Sequence, residues 1–300
     1  MYLEHFGLRE FPFGLTPNTQ FFCALPTHQE AFNVLMIALA SGEGFIKITG
    51  EVGTGKTMLC RKLLNELGDG YRVAYIPNPA MPQHELLATV AEEIGLPFEQ
   101  VANTGHLLKL INQHLLDVAA QGQRLVLVLD EAQAIPPDSL ELLRLLTNLE
   151  TESRKLLQIV LFGQPELDQL LDRPNLRQLR QRITFSYRLK MLGFAELRNY
   201  VFKRLQVAGY RERDLLTGAA YRLLYGYSRG TPRLINILAH KAMLSAYGKG
   251  AGVVNLWHVH AAARDTEGVR PLPLTQLLLV LPALAGLAWL VLRLSRSLVP

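Results

Sequence analysis

Residues Gly50-Glu51-Val52-Gly53-Thr54-Gly55-Lys56-Thr57 constrain this chain more than any other stretch. They fit the pattern G-x-x-x-x-G-K-[ST] and follow an apolar run, Phe45 to Thr49, that reads as a strand. Glycines at those positions let backbone N–H groups curl round an anion, and the helix that opens behind them favours negative charge at its N-terminus. Lys56 adds a point charge for the β and γ phosphates of a nucleotide, and Thr57 offers a hydroxyl to Mg²⁺. Met58 to Leu67 continues with apolar spacing suited to packing under a sheet. The candidate nucleotide-binding set is therefore Gly50, Glu51, Val52, Gly53, Thr54, Gly55, Lys56, Thr57 and Met58.

A second stretch complements the first. Leu125 to Leu129 is a continuous apolar run ending in Asp130-Glu131, which is how a central parallel strand presents acids at its C-terminal edge. Two adjacent acids can simply cap a turn, but about seventy residues after a phosphate loop they complete one site. Asp130 then holds Mg²⁺ through water, with Thr57 as the other metal ligand, and Glu131 polarises water for in-line attack on the γ-phosphate. ATP and Mg²⁺ are the expected cofactors. Leu156 to Phe162 reads as a further buried strand beside that of Asp130. At its tip Gln164 is either a turn residue or a hydrogen-bond partner of the attacking water or the γ-phosphate. Arg177, Arg180 and Arg182 come next, before a strand from Ile183 to Leu189. An arginine so placed can reach a neighbouring subunit's γ-phosphate, so Arg180 and Arg182 join Glu131, Lys56 and Gln164 as candidate catalytic residues.

The chain's 300 residues exceed what one modest core needs, which predicts a larger domain of about 190 residues with a smaller one behind it. Residues 1–27 are rich in Phe and Pro and predict an irregular arm packed onto the main domain, its aromatics serving as core. Residues 28–192 read as the α/β core. Its helices are His28–Ser41, with Thr27 a candidate cap, Gln83–Ile94, Thr104–Gln121 and Pro137–Leu149, and Arg72–Ile76 is its second strand. Residues 193–267 read as a small all-helical lid built from Ala195–Ala208, Asp214–Ser228, Pro232–Tyr247 and Leu256–Asp265. Pro232 at a helix start sets Arg233 on the first turn, facing the nucleotide. His258 and His260 stand about 200° apart on their helix and read as packing or surface residues rather than a metal pair.

Residues 268–273 read as a linker. Leu274 to Leu292 carries Thr275 and Gln276 as its clearly polar residues and would reach roughly 28 Å as a helix, enough to cross a bilayer. The expectation is one transmembrane helix over 274–293, kinked at Pro282 and ending at Trp289, Arg293 and Arg296, with a short tail over 294–300; a buried C-terminal helix is the alternative. No basic n-region or long apolar h-region opens the chain, so no cleavable secretion signal is expected. Cys23 and Cys60 fit no metal spacing and read as reduced thiols. The net charge of +5 is concentrated between Arg177 and Arg233, a stretch that suits nucleic acid, phosphates, an acidic neighbouring subunit or plain solvation.

Taken together, Gly50 to Thr57, Asp130-Glu131, Gln164, Arg180 or Arg182, and Arg233 resemble the AAA+ ATPases. That resemblance covers residues 28–265 and implies an α/β P-loop NTPase fold, a parallel sheet flanked by helices followed by the small helical lid, to which the apolar run adds the C-terminal transmembrane helix. More narrowly, Met1-Tyr2, Phe6-Gly7-Leu8, Pro12-Phe13, Asp130-Glu131-Ala132-Gln133, Gly163 to Leu167, Gln181-Arg182 and Pro232 to Asn236 resemble the general secretion pathway protein A (ExeA-type) family, which includes the MSHA pilus biogenesis ATPases. The resemblance implies an ATP-hydrolysing assembly factor for a secretion or type IV pilus machine. It would sit in the inner membrane with its ATPase domain in the cytoplasm, acting with a membrane partner and as a nucleotide-dependent homo-oligomer. Longer family members continue into a periplasmic peptidoglycan-binding domain; with Arg293 to Pro300 after the span, cell-wall binding is not expected of this chain. Asn18 stands where the family often has Asp, and Arg229 where it often has Gly. Two other functions compete: a DNA-binding AAA+ regulator of transposition or replication type, against which the apolar tail argues, and a nucleotide-gated scaffold with little turnover, which an intact Glu131 disfavours.

Overall fold

A computed structural model of the chain describes residues 2–97, 104–147, 155–212 and 214–269. Five strands, β1 (Phe45–Gly50), β2 (Tyr71–Ile76), β3 (Arg124–Leu129), β4 (Leu157–Gly163) and β5 (Ile183–Leu189), form one sheet in the order β2-β3-β4-β1-β5. Every pairing is parallel. Parallel pairing demands crossovers, which put helices on both faces and bury the central strands completely. Accordingly every residue of β4 is buried. Gln158, its polar member, donates from Nε2 to the carbonyls of Leu39 and Glu43 at 3.1 and 3.0 Å.

Period-two geometry sorts the strand residues. Ile46, Ile48, Val126, Val128, Val160 and Phe162 pack with Leu35, Leu39, Leu59 and Leu63, from α2 (Pro26–Ala40) and α3 (Lys56–Glu66). Phe45, Leu125, Leu127, Leu129, Ile159 and Leu161 point the other way. They meet α4 (Gln83–Glu93), α5 (Thr104–Ala120), α6 (Pro137–Leu146), α7 (Glu166–Leu171) and α8 (Arg177–Arg182). Each such side chain is worth about 1.5–3 kcal/mol of burial, so a one-residue slip would misplace both sets at once. The register pairs Thr49 with Gly163 and Leu129 with Leu161. The ends of β1, β3 and β4 thus come together where the strand order reverses, the crevice in which open α/β sheets bind ligands.

Behind the sheet lies the helical part: α9 (Phe194–Val207), α10 (Gly218–Ser228), α11 (Pro232–Gly248) and α12 (Leu256–Arg264). The N-terminal arm, which opens with the short helix α1 (Tyr2–His5), touches the α/β body through Phe22 and through Pro17 O, which accepts from Arg61, but buries most of its apolar residues elsewhere. Tyr2, Phe6, Leu8, Phe13, Phe21, Cys23 and Leu25 instead share a hydrophobic cluster with Leu197, Tyr200, Tyr221, Leu238 and Val259 of the helical part. The physical reason is surface matching. The helices of the α/β body spend their apolar faces on the sheet, whereas the lid helices leave an apolar side open that the aromatics fill.

Several boundaries also shift. Helix α2 starts two residues earlier than expected, with Leu25 as N-cap and Pro26 in the first turn, so Thr27 is inside the helix and not its cap. Helix α10 starts at Gly218 rather than Asp214, capped by the Thr217 side chain, because Leu216 is held in a parallel bridge to Val254. Asn18 Oδ1 accepts from Gln20 N at 3.0 Å, a cap an aspartate would make equally well. Arg229 lies in the left-handed region at φ 50, the conformation for which the family's frequent glycine is suited. Buried His258 accepts from Asn255 N at the start of α12, and His260 pairs with the Tyr227 hydroxyl at 2.8 Å. Among the described residues no helix is long and apolar enough to cross a membrane. The expected span over 274–293, its tail, and the end of the helix predicted to run to Leu149 lie outside them.

Candidate active site

From the end of β1 the chain turns over Gly50–Gly55 and enters α3 at Lys56. Gly53 and Gly55 sit at φ 79 and 98. A Cβ at Gly53 would come within 2.7 Å of Arg233 Cβ, and one at Gly55 within 3.0 Å of His28 Nε2, so these two glycines are required sterically as well as conformationally. Thr54 Oγ1 donates to Glu51 O at 2.8 Å, tying the loop to itself. Lys56 is buried, and its Nζ donates to Gly50 O at 2.8 Å and Glu51 O at 3.1 Å, which holds the ammonium at the mouth of the loop. Burial pulls its pKa below the usual lysine value, opposed by the carboxylates of Glu131, Asp130, Glu51 and Glu166.

Asp130 follows β3 and is buried. Its Oδ2 accepts from Thr57 Oγ1 at 2.8 Å and its Oδ1 from Glu131 N at 3.0 Å. Burial raises its pKa, and the Thr57 and Glu131 hydrogen bonds pull back. Glu131 itself adopts φ 52, ψ 38 at the entry to a 3-10 turn, Ala132–Ala134. Its Oε2 accepts from Gln133 Nε2 at 2.6 Å and from Gln164 Nε2 at 3.1 Å. Burial alone would raise the Glu131 pKa, but the two amide donors and the positive charge of Lys56 outweigh it and hold the carboxyl below its ordinary range. Gln164, which the sequence puts at the tip of the strand beside this acid, thus has its side-chain amide on the carboxylate.

Lys56, Thr57, Glu131 and Gln164 floor a cleft of about 390 Å³ whose other wall is the arm and the lid, including Gly14, Pro17, Phe22, Tyr200, Arg233 and Asn236. Val52 and Met58 line it at the loop tip and first helical turn. Arg233 N donates to Gly53 O at 3.2 Å, so the lid touches the phosphate loop through backbone. Two further residues belong to the site without any sequence signal. Buried His28 donates from Nε2 to Thr54 O at 2.8 Å, and burial lowers its pKa, so the ring is a neutral prop under the loop. Buried Arg204 donates to the carbonyls of Pro12 and Gly14 and to the Tyr200 hydroxyl, which in turn donates to Asn236 Oδ1. Its guanidinium also lies 4.9 Å over the Phe21 ring. No local pattern marks either residue, because their partners are distant in sequence.

The AAA domain family pattern matches residues 39–171, which takes in the phosphate loop, the acidic strand and Gln164. General secretion pathway protein A of Aeromonas hydrophila is 44% identical over 270 residues, 90% of this chain and 49% of that protein. This chain carries an AAA domain and, over the matched stretch, is of the general secretion pathway protein A type. It spans about half the length of that curated relative. Among solved structures, Cdc6p from Pyrobaculum aerophilum aligns with a TM-score of 0.63 at 20% identity, over 82% of this chain and 70% of that one. The Aeropyrum pernix ORC2 protein, solved in ADPNP-ADP complexes, aligns with a TM-score of 0.59 at 17% identity, over 84% and 72%. The Thermotoga maritima RuvB branch migration motor aligns with a TM-score of 0.53 at 18% identity, over 85% and 73%. At those identities the likeness is one of fold, an AAA+ body with its helical part behind it.

The three arginines of the family's finger region do not converge on the chain's own cleft. Arg177 and Arg180 are exposed, and Arg180 pairs with Asp172 at 2.7 Å. Arg182 is half-buried and donates to Arg144 O at 3.2 Å and Thr147 Oγ1 at 3.3 Å, closing the C-terminal turn of α6. Among the described residues no group of three or more His, Cys, Asp or Glu side chains is placed to hold a metal. Thr57 and Asp130 present a hydroxyl and a carboxylate oxygen in contact, hard donors that suit Mg²⁺ when phosphates and water complete its shell.

Proposed function

We propose that this chain binds and hydrolyses ATP with Mg²⁺ and uses the cycle to assemble a secretion or type IV pilus machine at the inner membrane. The observation that carries the reading is the Lys56, Thr57–Asp130 and Glu131–Gln164 constellation, in which Lys56, Thr57, Glu131 and Gln164 line one cleft and Asp130 is bonded to Thr57. On ATP binding Lys56 exchanges its two carbonyl partners for the β and γ phosphates, while the N–H groups at the start of α3 and its dipole hold the same anion. Thr57 and Asp130 would hold Mg²⁺, which would supply positive charge to the reacting phosphates. Glu131, kept ionised by its amide donors, orients and polarises the attacking water, and Gln164 reports the γ-phosphate to that acid. Arg233, on the lid's first turn against Gly53, closes over the phosphates. Because Arg182 is engaged within the chain, exposed Arg180 is the better candidate to enter a neighbouring copy's site in a nucleotide-dependent homo-oligomer.

The membrane assignment rests on the apolar segment over 274–293, which would anchor the ATPase domain on the cytoplasmic side. The role in secretion rests on the relative's name and on 44% identity. The deciding measurement is Mg²⁺-dependent ATP turnover by the full chain across protein concentration, beside Glu131→Gln and Arg180→Ala. Specific activity that rises with concentration and vanishes in both variants is the expected result. Wild type and Glu131→Gln equally silent while still binding ATP would replace the hydrolase by a nucleotide-gated scaffold.

A further inference from the structure

Gln133 has no assigned part in the site, yet both ends of its side-chain amide are committed there. Nε2 donates to Glu131 Oε2 at 2.6 Å, and Oε1 accepts from Gln164 N at 2.9 Å. The chemistry fixes this orientation, because a flipped amide would set a carbonyl against a carboxylate and an NH₂ against a backbone N–H. Gln164 closes the triangle by donating from its own Nε2 to the same Oε2 at 3.1 Å. Oε2 is thus pinned twice, which turns Oε1 of Glu131 to the task of receiving water. Glu131 also stands at φ 52, a left-handed conformation that persists in a non-glycine residue when its surroundings over-determine it.

We propose that Gln133 is a positioning residue for hydrolysis: it clamps the Glu131 carboxylate and ties that clamp to the tip of β4, so that the acid and Gln164 move as one unit. The proposal rests on the reading of Glu131 as the residue that activates water. A purely structural role would need the acceptor end alone, to satisfy Gln164 N; the clamp needs the donor end too. Gln133→Glu separates these roles, since it keeps an acceptor for Gln164 N but sets a carboxylate against Glu131.

The experiment measures ATP turnover, affinity for a fluorescent ATP analogue and thermal melting of the full chain carrying Gln133→Glu, Gln133→Met or Glu131→Gln. For Gln133→Glu the expected result is a kcat about a hundredfold lower, with analogue affinity within about twofold of wild type and an unchanged melting point. Gln133→Met, which removes both ends without adding charge, loses about tenfold in kcat with affinity kept. Wild-type turnover by Gln133→Glu, with Glu131→Gln inactive, would overturn the clamp and leave the reading of Glu131 standing. Wild-type turnover by Glu131→Gln would overturn that reading, and the clamp with it.

Discussion

On the phosphate side of the cleft the decisive side chains are fixed mostly by near neighbours. Lys56 is held by the carbonyls of Gly50 and Glu51, Thr54 by Glu51, and Asp130 by the N–H of Glu131. On the opposite side the main ties are distant: Arg204, besides its bond to nearby Tyr200, is held by Pro12, 192 positions away, and by Gly14. The first wall is a property of a loop and two strand ends, while the second exists only once the arm has closed over the lid helices. The difference teaches that chemistry and enclosure are built separately here, meeting at the Arg233–Gly53 backbone contact.

The largest effect should come from the phosphate side. Glu131→Gln is expected to lower kcat by about 10²- to 10⁴-fold, with the arm and lid undisturbed and ATP still bound; a stopped turnover assay beside a circular dichroism melt checks both halves. Next comes the opposite wall. Arg204→Met removes a buried cation from carbonyl and hydroxyl partners and should cost about 2–4 kcal/mol of stability, since hydrogen bonds to a charged group are worth about 1.5–3 kcal/mol each and the orphaned acceptors cost more. Denaturant unfolding would show it, and intact stability in Arg204→Met would mean that the arm is held by its aromatics alone. A smaller change of opposite sign is expected at Arg229, where relief of the left-handed backbone in Arg229→Gly should stabilise by about 0.5–1 kcal/mol after the entropy cost of glycine.

The smallest effect lies beneath the phosphate loop. His28 is buried neutral, its pKa lowered from the ordinary 6.5 by burial. Below pH 6.5 the unfolded chain therefore takes up the proton before the folded chain does, so stability present above that pH is lost as pH falls toward the depressed folded value. Replacing the ring by an amide, His28→Gln, should flatten that part of the stability–pH curve below neutrality. Parallel curves for wild type and variant would deny His28 its role as the prop.

Much of the α/β body is legible in the amino-acid sequence. The apolar run Leu125–Leu129 with acids behind it, the glycine spacing of 50–55 and the helical periodicity of Leu107, Ile111 and Leu115 each encode their environment over a few residues. The sequence tells only part of the story at the arm: Phe22 does meet the main domain, but most of the arm's apolar residues join the lid, because an aromatic-rich stretch announces burial without naming its partner. The sequence misleads at Asp214, where helical periodicity continues past the point at which Leu216 pairs with Val254. Gln133 stands in plain view beside Asp130-Glu131, but its value depends on the tip of β4 arriving next to it.

The spacing of short motifs is enough to establish a nucleotide-phosphate loop, its acidic partner strand and a parallel sheet with helices behind it. Such features are written in contiguous residues whose backbone geometry admits few alternatives. Folding in three dimensions settled which surface the arm covers, that Arg182 serves α6 while Arg180 stays free of it, and that His28, Arg204 and Gln133 belong to the site. Those outcomes depend on contacts between segments far apart in sequence, where the energy of burial rewards whichever surfaces fit and no local pattern records the choice.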